Sequence, residues 1–407
     1  MQTAAVRLQR GRLAACLIGA ILLFPWAGCG SLPAGGNAPG DGSDASARVA
    51  SPFGPALPLT AQPGEVAVID GVIDDPLGFN VYALGALTAG QELSVRVRAQ
   101  DTGFNPAVAV FDADGNWMDL NDDGGAGAAR LDGAVDFNAR RATAQTYVVV
   151  SASMRSDTTG SYVLTVQRSA DLPSTVAPDA QRVYLNFGGG LNVQIGGRPA
   201  VDIPAFSGAL IGAAFAGATA ELRERTAARV RQDFLGLEVE VYSSDEGPPP
   251  PAPYSTLYFG SYDSALLGVA DSVDKFNAAP EQDAIVFVDT FSLFAALDPS
   301  IEELVHALAN VASHEIGHLL GLHHTSDPTE LMDISASLNE LLVPQHFGRA
   351  PLNFDTFPAG YQDAPMLLHE NIGGDLVAPM SVKTARVLRA KTSFLPRGGL
   401  HFGTACP

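Results

Sequence analysis

Residues 314–332 read HEIGHLLGLHHTSDPTELM. His314, Glu315, His318, Gly321 and His324 stand at the spacing H-E-x-x-H-x-x-G-x-x-H, and Met332 follows eight residues after the third histidine. Four residues is a little more than one helical turn, so His314 and His318 project from one face and can offer a ring nitrogen each to a single ion. Glu315 is poorly placed to ligate that ion from the neighbouring position, but its carboxylate reaches a water at an open coordination site, which makes it the candidate general base. A helix that ran on would carry the chain away from the metal. A third ligand from the same segment therefore needs a sharp bend, and Gly321, tolerant of positive φ, sits where the bend belongs. Three neutral imidazoles and a water form an open tetrahedral zinc site, which brings the pKa of the water to about 7 and polarises a carbonyl oxygen. That chemistry is hydrolysis. Such a match arises by chance in roughly one in fifty thousand chains of this length, so coincidence is set aside.

The same residues resemble the zinc signature and Met-turn of the metzincin metallopeptidases. Among these the matrixins are nearest, because Thr325, Ser326, Asp327 and Pro328 follow His324 and the methionine comes at their short distance. The resemblance implies that His314, His318 and His324 bind one catalytic zinc ion, that Glu315 is the base, and that Met332 forms a hydrophobic floor beneath the metal. It also implies an α+β domain with a mixed sheet and an active-site helix. Two departures stand out. Asp333 and Ile334 occupy the places where matrixins carry the Tyr-Pro that walls the substrate pocket, so pocket specificity does not carry over. All eight histidines lie between His306 and His401 and only His306 precedes the motif, so no second, structural zinc is expected. No cysteine lies between Cys29 and the motif, so a cysteine switch is not apparent. A gluzincin, with a distant glutamate in place of His324, is the poorer reading.

Working outward, 407 residues with 46% hydrophobic and 17% charged content bound the chain to two or three globular domains. A formal net charge of -20 argues against nucleic acid or anionic lipid as a partner. Residues 1–29 read as an export signal: Arg7, Arg10 and Arg12 precede an apolar run over 13–24 that is too short to span a bilayer. Ala27, Gly28 and Cys29 resemble a bacterial lipobox, which makes Cys29 a lipid-anchor site, although Trp26 departs from the usual leucine and ordinary cleavage stays open. With only Cys16, Cys29 and Cys406 present, no internal disulfide framework can form once Cys16 leaves and Cys29 is lipidated. Residues 30–58, rich in Gly, Ala, Ser and Pro, read as a flexible tether.

An antiparallel β-sandwich is expected over 59–168, from short apolar or alternating runs at 65–69, 92–98, 107–111, 146–151 and 161–166 separated by Gly, Asn and Asp turns. Phe79-Asn80-Val81-Tyr82, Ala89-Gly90-Gln91, Asp112-Ala113-Asp114-Gly115 and Gly160-Ser161-Tyr162 are similar in order to bacterial pre-peptidase C-terminal domains. That resemblance implies an accessory role in secretion, folding or substrate attachment. Asp112, Asp114, Asp119, Asp122 and Asp123 offer oxygens to calcium but lack the EF-hand pattern, so solvated hairpin turns are preferred.

After a linker at 169–181, a catalytic domain is expected over 182–374. Its signals are strands near 183–187, 238–242, 256–259 and 284–288, an amphipathic helix over 218–234, and the active helix over 300–320. An antiparallel edge strand at 266–273 would bind an extended peptide through its main chain. Asp271, Asp274, Asp283 and Asp289 are read as loop and edge charge in preference to calcium ligands. His306, roughly 80° round the helix from His314, is read as a core residue or one that supports the ligands and not as a ligand itself, and His323 points away from the metal. Beyond Met332, residues 338–343 are read as helical, with Pro344, Pro351 and Pro358 breaking the remainder of the domain into loops. Residues 375–407 form an extension of unreadable role.

These readings combine into a monomeric zinc endopeptidase, exported as a cell-envelope lipoprotein or extracellular protein and acting on protein or peptide substrates. The alternative is a surface-adhesion lipoprotein whose peptidase-like domain is inactive; the intact ligand set argues against it.

Overall fold

The computed structural model describes residues 49–124, 131–154, 156–169, 177–263 and 265–375. The export signal, Cys29, most of the tether, Cys406 and the C-terminal extension lie outside the described residues. Among those described, no helix is long and apolar enough to cross a membrane.

Among the described residues the N-terminal half is built of strands: β1 (Val49–Ser51), β2 (Gly54–Pro58), β3 (Val66–Ile73), β4 (Phe79–Leu87), β5 (Glu92–Ala99), β6 (Pro106–Phe111), β7 (Trp117–Asn121), β8 (Gly133–Asn138), β9 (Thr143–Ala152) and β10 (Gly160–Arg168). They form a six-stranded sheet in the order β1-β2-β4-β9-β6-β7 and a four-stranded sheet in the order β3-β10-β5-β8. Strand pairs within 59–168 are antiparallel, as expected, and one expectation needs correction at the edge, where β2, before that range, runs parallel to β4. The tether read over 30–58 ends in β1 and β2; Pro55 and Pro58 remove N–H donors and hide the strand pattern in a short hairpin at the sheet edge.

The runs in β6 and β9 are apolar on both faces, and the packing explains why. Val108, Val110, Val148 and Val150 face one apolar cluster shared with Val95, Val97, Leu164 and Val166 of the four-stranded sheet. Ala107, Ala109, Phe111, Tyr147 and Val149, alternating with them, belong to a second cluster that continues through the C-terminal half. A strand buried on both sides cannot alternate apolar with polar, so these two read as continuous apolar runs.

In the C-terminal half, β11 (Gln181–Asn186), β14 (Val239–Ser243), β15 (Ser255–Phe259), β16 (Gly268–Ala270) and β17 (Asp283–Val286) form a mixed sheet in the order β14-β11-β15-β17-β16. All its pairs are parallel except that of the edge strand β16 with β17, as the sequence reading of 266–273 anticipated. A hairpin of β12 (Gly190–Val193) and β13 (Val201–Ile203) supplies Val193 and Ile203 to a small cluster with Val269 and Ile285 of the sheet. After a short α1 (Gly208–Ile211), the helices α2 (Thr219–Asp233) and α3 (Ile301–Leu319) pack together. Both belong to the large cluster that also holds Leu185, Leu257 and Val286 of the sheet.

Past Met332, the expectation of loops is corrected. The short α4 (Leu338–Leu341) is followed by a strand pair, β18 (Arg349–Pro351) with β19 (Tyr361–Asp363), and by α5 (Ala364–Ile372). Asp363 caps α5 by accepting from the Met366 N–H, and Pro365 sits in its first turn. A proline there is compatible with a helix start, because the N–H it lacks has no intrahelical partner anyway.

Phe111 sits where the halves meet. It is fully buried, with ring centroids 4.8 Å from Phe53 and 5.8 Å from Phe357. Phe111→Ala should cost about 3–5 kcal/mol. Because the cavity is shared, calorimetry should show both halves melting earlier in one transition; an unchanged melting of the C-terminal half would contradict this.

Candidate metal centre

Helix α3 carries the first half of the motif, and both its ends are specified by sequence. Ser300 caps the start in a reciprocal capping box: the Glu303 N–H donates to the Ser300 hydroxyl, and the Ser300 N–H donates to the Glu303 carboxylate at 2.7 Å. At the other end the Gly321 N–H donates to the His318 carbonyl at 2.9 Å and the Leu322 N–H to the Gly317 carbonyl at 2.9 Å. This is the Schellman pattern, and it places Gly321 at φ +92°. A side chain here would also meet the Asp274 carbonyl oxygen at 2.8 Å. The bend expected at Gly321 is therefore required by backbone conformation and by space.

The bend brings three rings together. His318 Nε2 lies 3.1 Å from His314 Nε2 and 3.0 Å from His324 Nε2. Ligands on a tetrahedral zinc at about 2.0–2.1 Å stand about 3.3–3.4 Å apart, so the spacing suits one ion. The far nitrogens are committed: His314 Nδ1 donates to the Leu331 carbonyl at 2.7 Å, and His318 Nδ1 to the Leu322 carbonyl at 2.8 Å. That tautomer leaves a lone pair on each Nε2 facing inward. Burial holds His318 down to about 4 and His314 well below the ordinary histidine range, so both rings are neutral at pH 7 and ready to ligate. Among the described residues these three histidines alone form such a cluster.

Glu315 is fully buried, and neither carboxylate oxygen has a hydrogen-bond partner. Burial pushes its pKa well up. An unpartnered buried carboxylate is costly unless something outside the protein chain completes it, and a water on an ion at the three imidazoles would do so. Gly268 on β16 makes its room: a Cβ there would come within 2.4 Å of Glu315 Oε1.

The Met-turn is held by a second buried carboxylate. Glu330 Oε2 accepts from the Thr325 hydroxyl and from the Met332 N–H, each at 2.7 Å, and Oε1 accepts from the Gly348 N–H at 3.3 Å. The Thr325 N–H in turn donates to the Met332 carbonyl at 2.9 Å. The residue after the third histidine is thus laced to Met332. The methionine is fully buried against Gly317, where a Cβ would lie 2.5 Å from its sulfur. Asp333, in the place of the matrixin tyrosine, is buried and accepts from the Ser335 N–H and hydroxyl.

His306 and His323 stay outside the cluster, as read, but His306 is half-buried and not a core residue. His306 Nε2 lies 3.3 Å from Glu302, and the ring is not part of the cluster. His323 faces Trp117 edge-on at 5.0 Å. The acidic turns need correction. Asp112 and Asp119 are buried, Asp112 accepting from Arg141 at 2.8 Å and Asp119 from Lys275 at 2.6 Å. Asp274, also buried, accepts from the N–H groups of Ala278 and Ala279. Their partners come from distant or non-periodic segments, which no local pattern reveals. Gly268, Gly317, Glu330 and Gln362 escaped the sequence reading for the same reason: only H-E-x-x-H-x-x-G-x-x-H has a spacing dictated by chemistry.

Gly317→Ala should destabilise the chain by about 1–3 kcal/mol through overpacking against Met332, read from urea unfolding. Glu330 offers a pH test. Burial raises it from 4.5 to about 8, so between those values the folded chain holds a proton that the unfolded chain releases. Its stabilisation is fully present below about 4.5 and is lost as pH rises through about 8. Glu330→Gln should remove up to about 1.4 kcal/mol per pH unit of that slope; an unchanged slope in urea midpoints against pH would refute the buried proton.

The family model of the matrixins matches residues 105–341, from β6 to the end of α4. No curated protein matches the chain. Among solved structures, a zinc-dependent peptidase from Methanocorpusculum labreanum shares 15% identity over 40% of this chain and 93% of its own, with a TM-score of 0.26. The archaemetzincin of Methanopyrus kandleri shares 16% over 47% and 95%, TM-score 0.26. The pre-peptidase C-terminal domain of a Bacillus anthracis collagenase shares 14% over 28% and 94%, TM-score 0.20. Likenesses this slight leave the assignment to the family match, which spans more than half of the 407 residues and includes the three facing imidazoles. This chain belongs to the matrixin family of metallopeptidases.

Proposed function

We propose that the protein is a zinc-dependent endopeptidase that hydrolyses peptide bonds of extracellular or envelope proteins, with Glu315 as general base. The observation that carries this reading is the buried, partnerless carboxylate of Glu315, on the helix turn that presents two of the three clustered imidazoles. His314, His318 and His324 would hold the ion. When bound there, zinc supplies a Lewis acid that polarises the scissile carbonyl and acidifies water, and its charge offsets the desolvation that raises Glu315.

The chain's own residues do the rest. Glu315 takes the proton of the attacking water on one oxygen and returns it to the leaving amine. Gly268 keeps that carboxylate free of a neighbouring side chain. The strand that carries it, β16, is last in its sheet and antiparallel to β17, so its outer edge offers main-chain groups to an extended peptide running antiparallel to it. Met332, pressed on Gly317 and tied to Glu330, backs the helix turn between His314 and His318 and keeps the rings from retreating.

The same reading takes the two N-terminal sheets as a β-sandwich accessory domain over 59–168 with β1 and β2 added at its start, joined through 169–181 to a catalytic domain over 182–374. It takes residues 1–29 as an export signal with Cys29 as lipid-anchor site, and the chain as a monomer. The basic n-region and the small residues before Cys29 support the export step.

Zinc content and cleavage of an unstructured protein such as casein test the proposal together. The native chain should carry one zinc and cleave. Glu315→Ala should keep the zinc and lose about 10²–10⁴-fold or more in turnover. Normal turnover by that variant would sink the mechanism.

A further inference from the structure

The segment that leads to the third histidine is held by the N-terminal sheet and by β19. Gln362, fully buried on β19, uses its side-chain amide as a strand would use its backbone. Its Oε1 accepts from the His323 N–H at 2.8 Å, and its Nε2 donates to the His323 carbonyl at 2.8 Å. Both main-chain groups of the residue before His324 are thereby taken by one side chain. The same Oε1 accepts from the indole N–H of Trp117 at 3.1 Å, and the indole packs edge-on to the His323 ring. Trp117 is the first residue of β7, in the six-stranded sheet.

The β6–β7 turn grips β19 as well. The Tyr361 N–H donates to the Gly115 carbonyl at 2.9 Å. Arg349, on β18, donates to Asn116 Oδ1 at 2.6 Å and to the Asp114 carbonyl at 2.9 Å, with its guanidinium 3.9 Å from the Tyr361 ring centre. Asp112 shapes the turn by accepting from the N–H groups of Asp114 and Asn116, and Arg141 ties it to Glu370 on α5 at 2.6 Å. A continuous series of hydrogen bonds thus runs from the β6–β7 turn through β19 and Gln362 to His323 and the ligand beside it.

His314 and His318 need no such support, because a helix sets their spacing. His324 lies beyond the Schellman turn, where no regular element fixes the backbone, and its position depends on what holds residues 323–325. Its carbonyl accepts from the Asn353 N–H at 2.9 Å, Thr325 is tied to Met332, and His323 is held by Gln362.

From this geometry we propose that Gln362 and Trp117 are positioning residues for the third metal ligand, and that the N-terminal sheet is therefore part of the construction of the metal centre. The proposal rests on the zinc reading of the three histidines. Partners behind a ligand commonly change metal affinity by about 10–100-fold when removed, because the ligand then spends less time in the binding geometry.

The test uses the full chain in four forms: native, Gln362→Ala, Trp117→Phe and Val150→Ala. Trp117→Phe keeps an aromatic ring against His323 and removes the N–H donor. Val150, fully buried between the two N-terminal sheets, is the control for general loosening. Zinc dissociation constants come from competition with a chromophoric chelator, and the visible absorption of the Co²⁺-loaded chain reports ligand geometry. Gln362→Ala should weaken zinc binding by about 10-fold or more and alter the cobalt spectrum. Trp117→Phe should move both in the same direction by less, and Val150→Ala should lower thermal stability while leaving both as in the native chain. Native zinc affinity in either Gln362→Ala or Trp117→Phe, or an equal loss in Val150→Ala, would overturn the proposal. A native chain that binds no zinc would instead overturn the metal-centre reading on which it stands.

Discussion

Three imidazole nitrogens stand 3.0–3.1 Å from their nearest neighbours, those of His314 and His318 with lone pairs inward, and the helix that carries two of them also buries a carboxylate that has no partner. Left to itself, that arrangement is unfavourable: like-poled nitrogens repel, and a buried carboxyl without a donor costs free energy. The surrounding structure holds it open. Nδ1 of two of the rings is anchored on carbonyls of Leu331 and Leu322, and the turn after α3 supplies one of those carbonyls itself. The helix that presents the first two rings is buried along nearly its whole length, so it can neither rotate nor fray without opening the core.

Small residues and buried carboxylates divide the remaining work. Gly317 and Gly268 lie where a methyl group would strike Met332 and Glu315, and Gly321 adopts a backbone conformation that side chains resist. Glu330 brings Thr325, Met332 and Gly348 onto one carboxylate. Glycine at these positions gives up backbone or packing stability to leave room for Met332 and Glu315 and for the bend before His324. Sites of this kind are where local rules of sequence and structure are expected to conflict.

The two halves of the chain form one structure around this centre. The six-stranded sheet is covered on one face by the four-stranded sheet and on the other by residues of the peptidase part, so neither half has a complete surface without the other. Arg141 between Asp112 and Glu370, Lys275 on Asp119 and Arg349 on Asn116 line the contact with charged hydrogen bonds. Such partly buried pairs fix orientation more than they add stability, since desolvation offsets much of their attraction.

The sequence by itself determined the candidate ligands and the candidate base, and it located the bend and the helix that the structure shows. Their spacing is set by helix periodicity and by the coordination of an ion, both of which act over a dozen neighbouring residues. It also determined most strands of both halves, because apolar runs and turn residues are local signals. What it did not determine is how the third ligand is held. Trp117 and Gln362 are 245 residues apart in the chain, and nothing in the vicinity of either marks it as a partner of His323. The burial of Asp112 and Asp119 and the continuous apolar character of β6 and β9 likewise have their cause in the other half of the molecule. Only the tertiary structure brings those segments together, because hydrogen bonds and apolar contacts are decided by distance in space, and a periodic pattern carries no record of which distant surface will cover it.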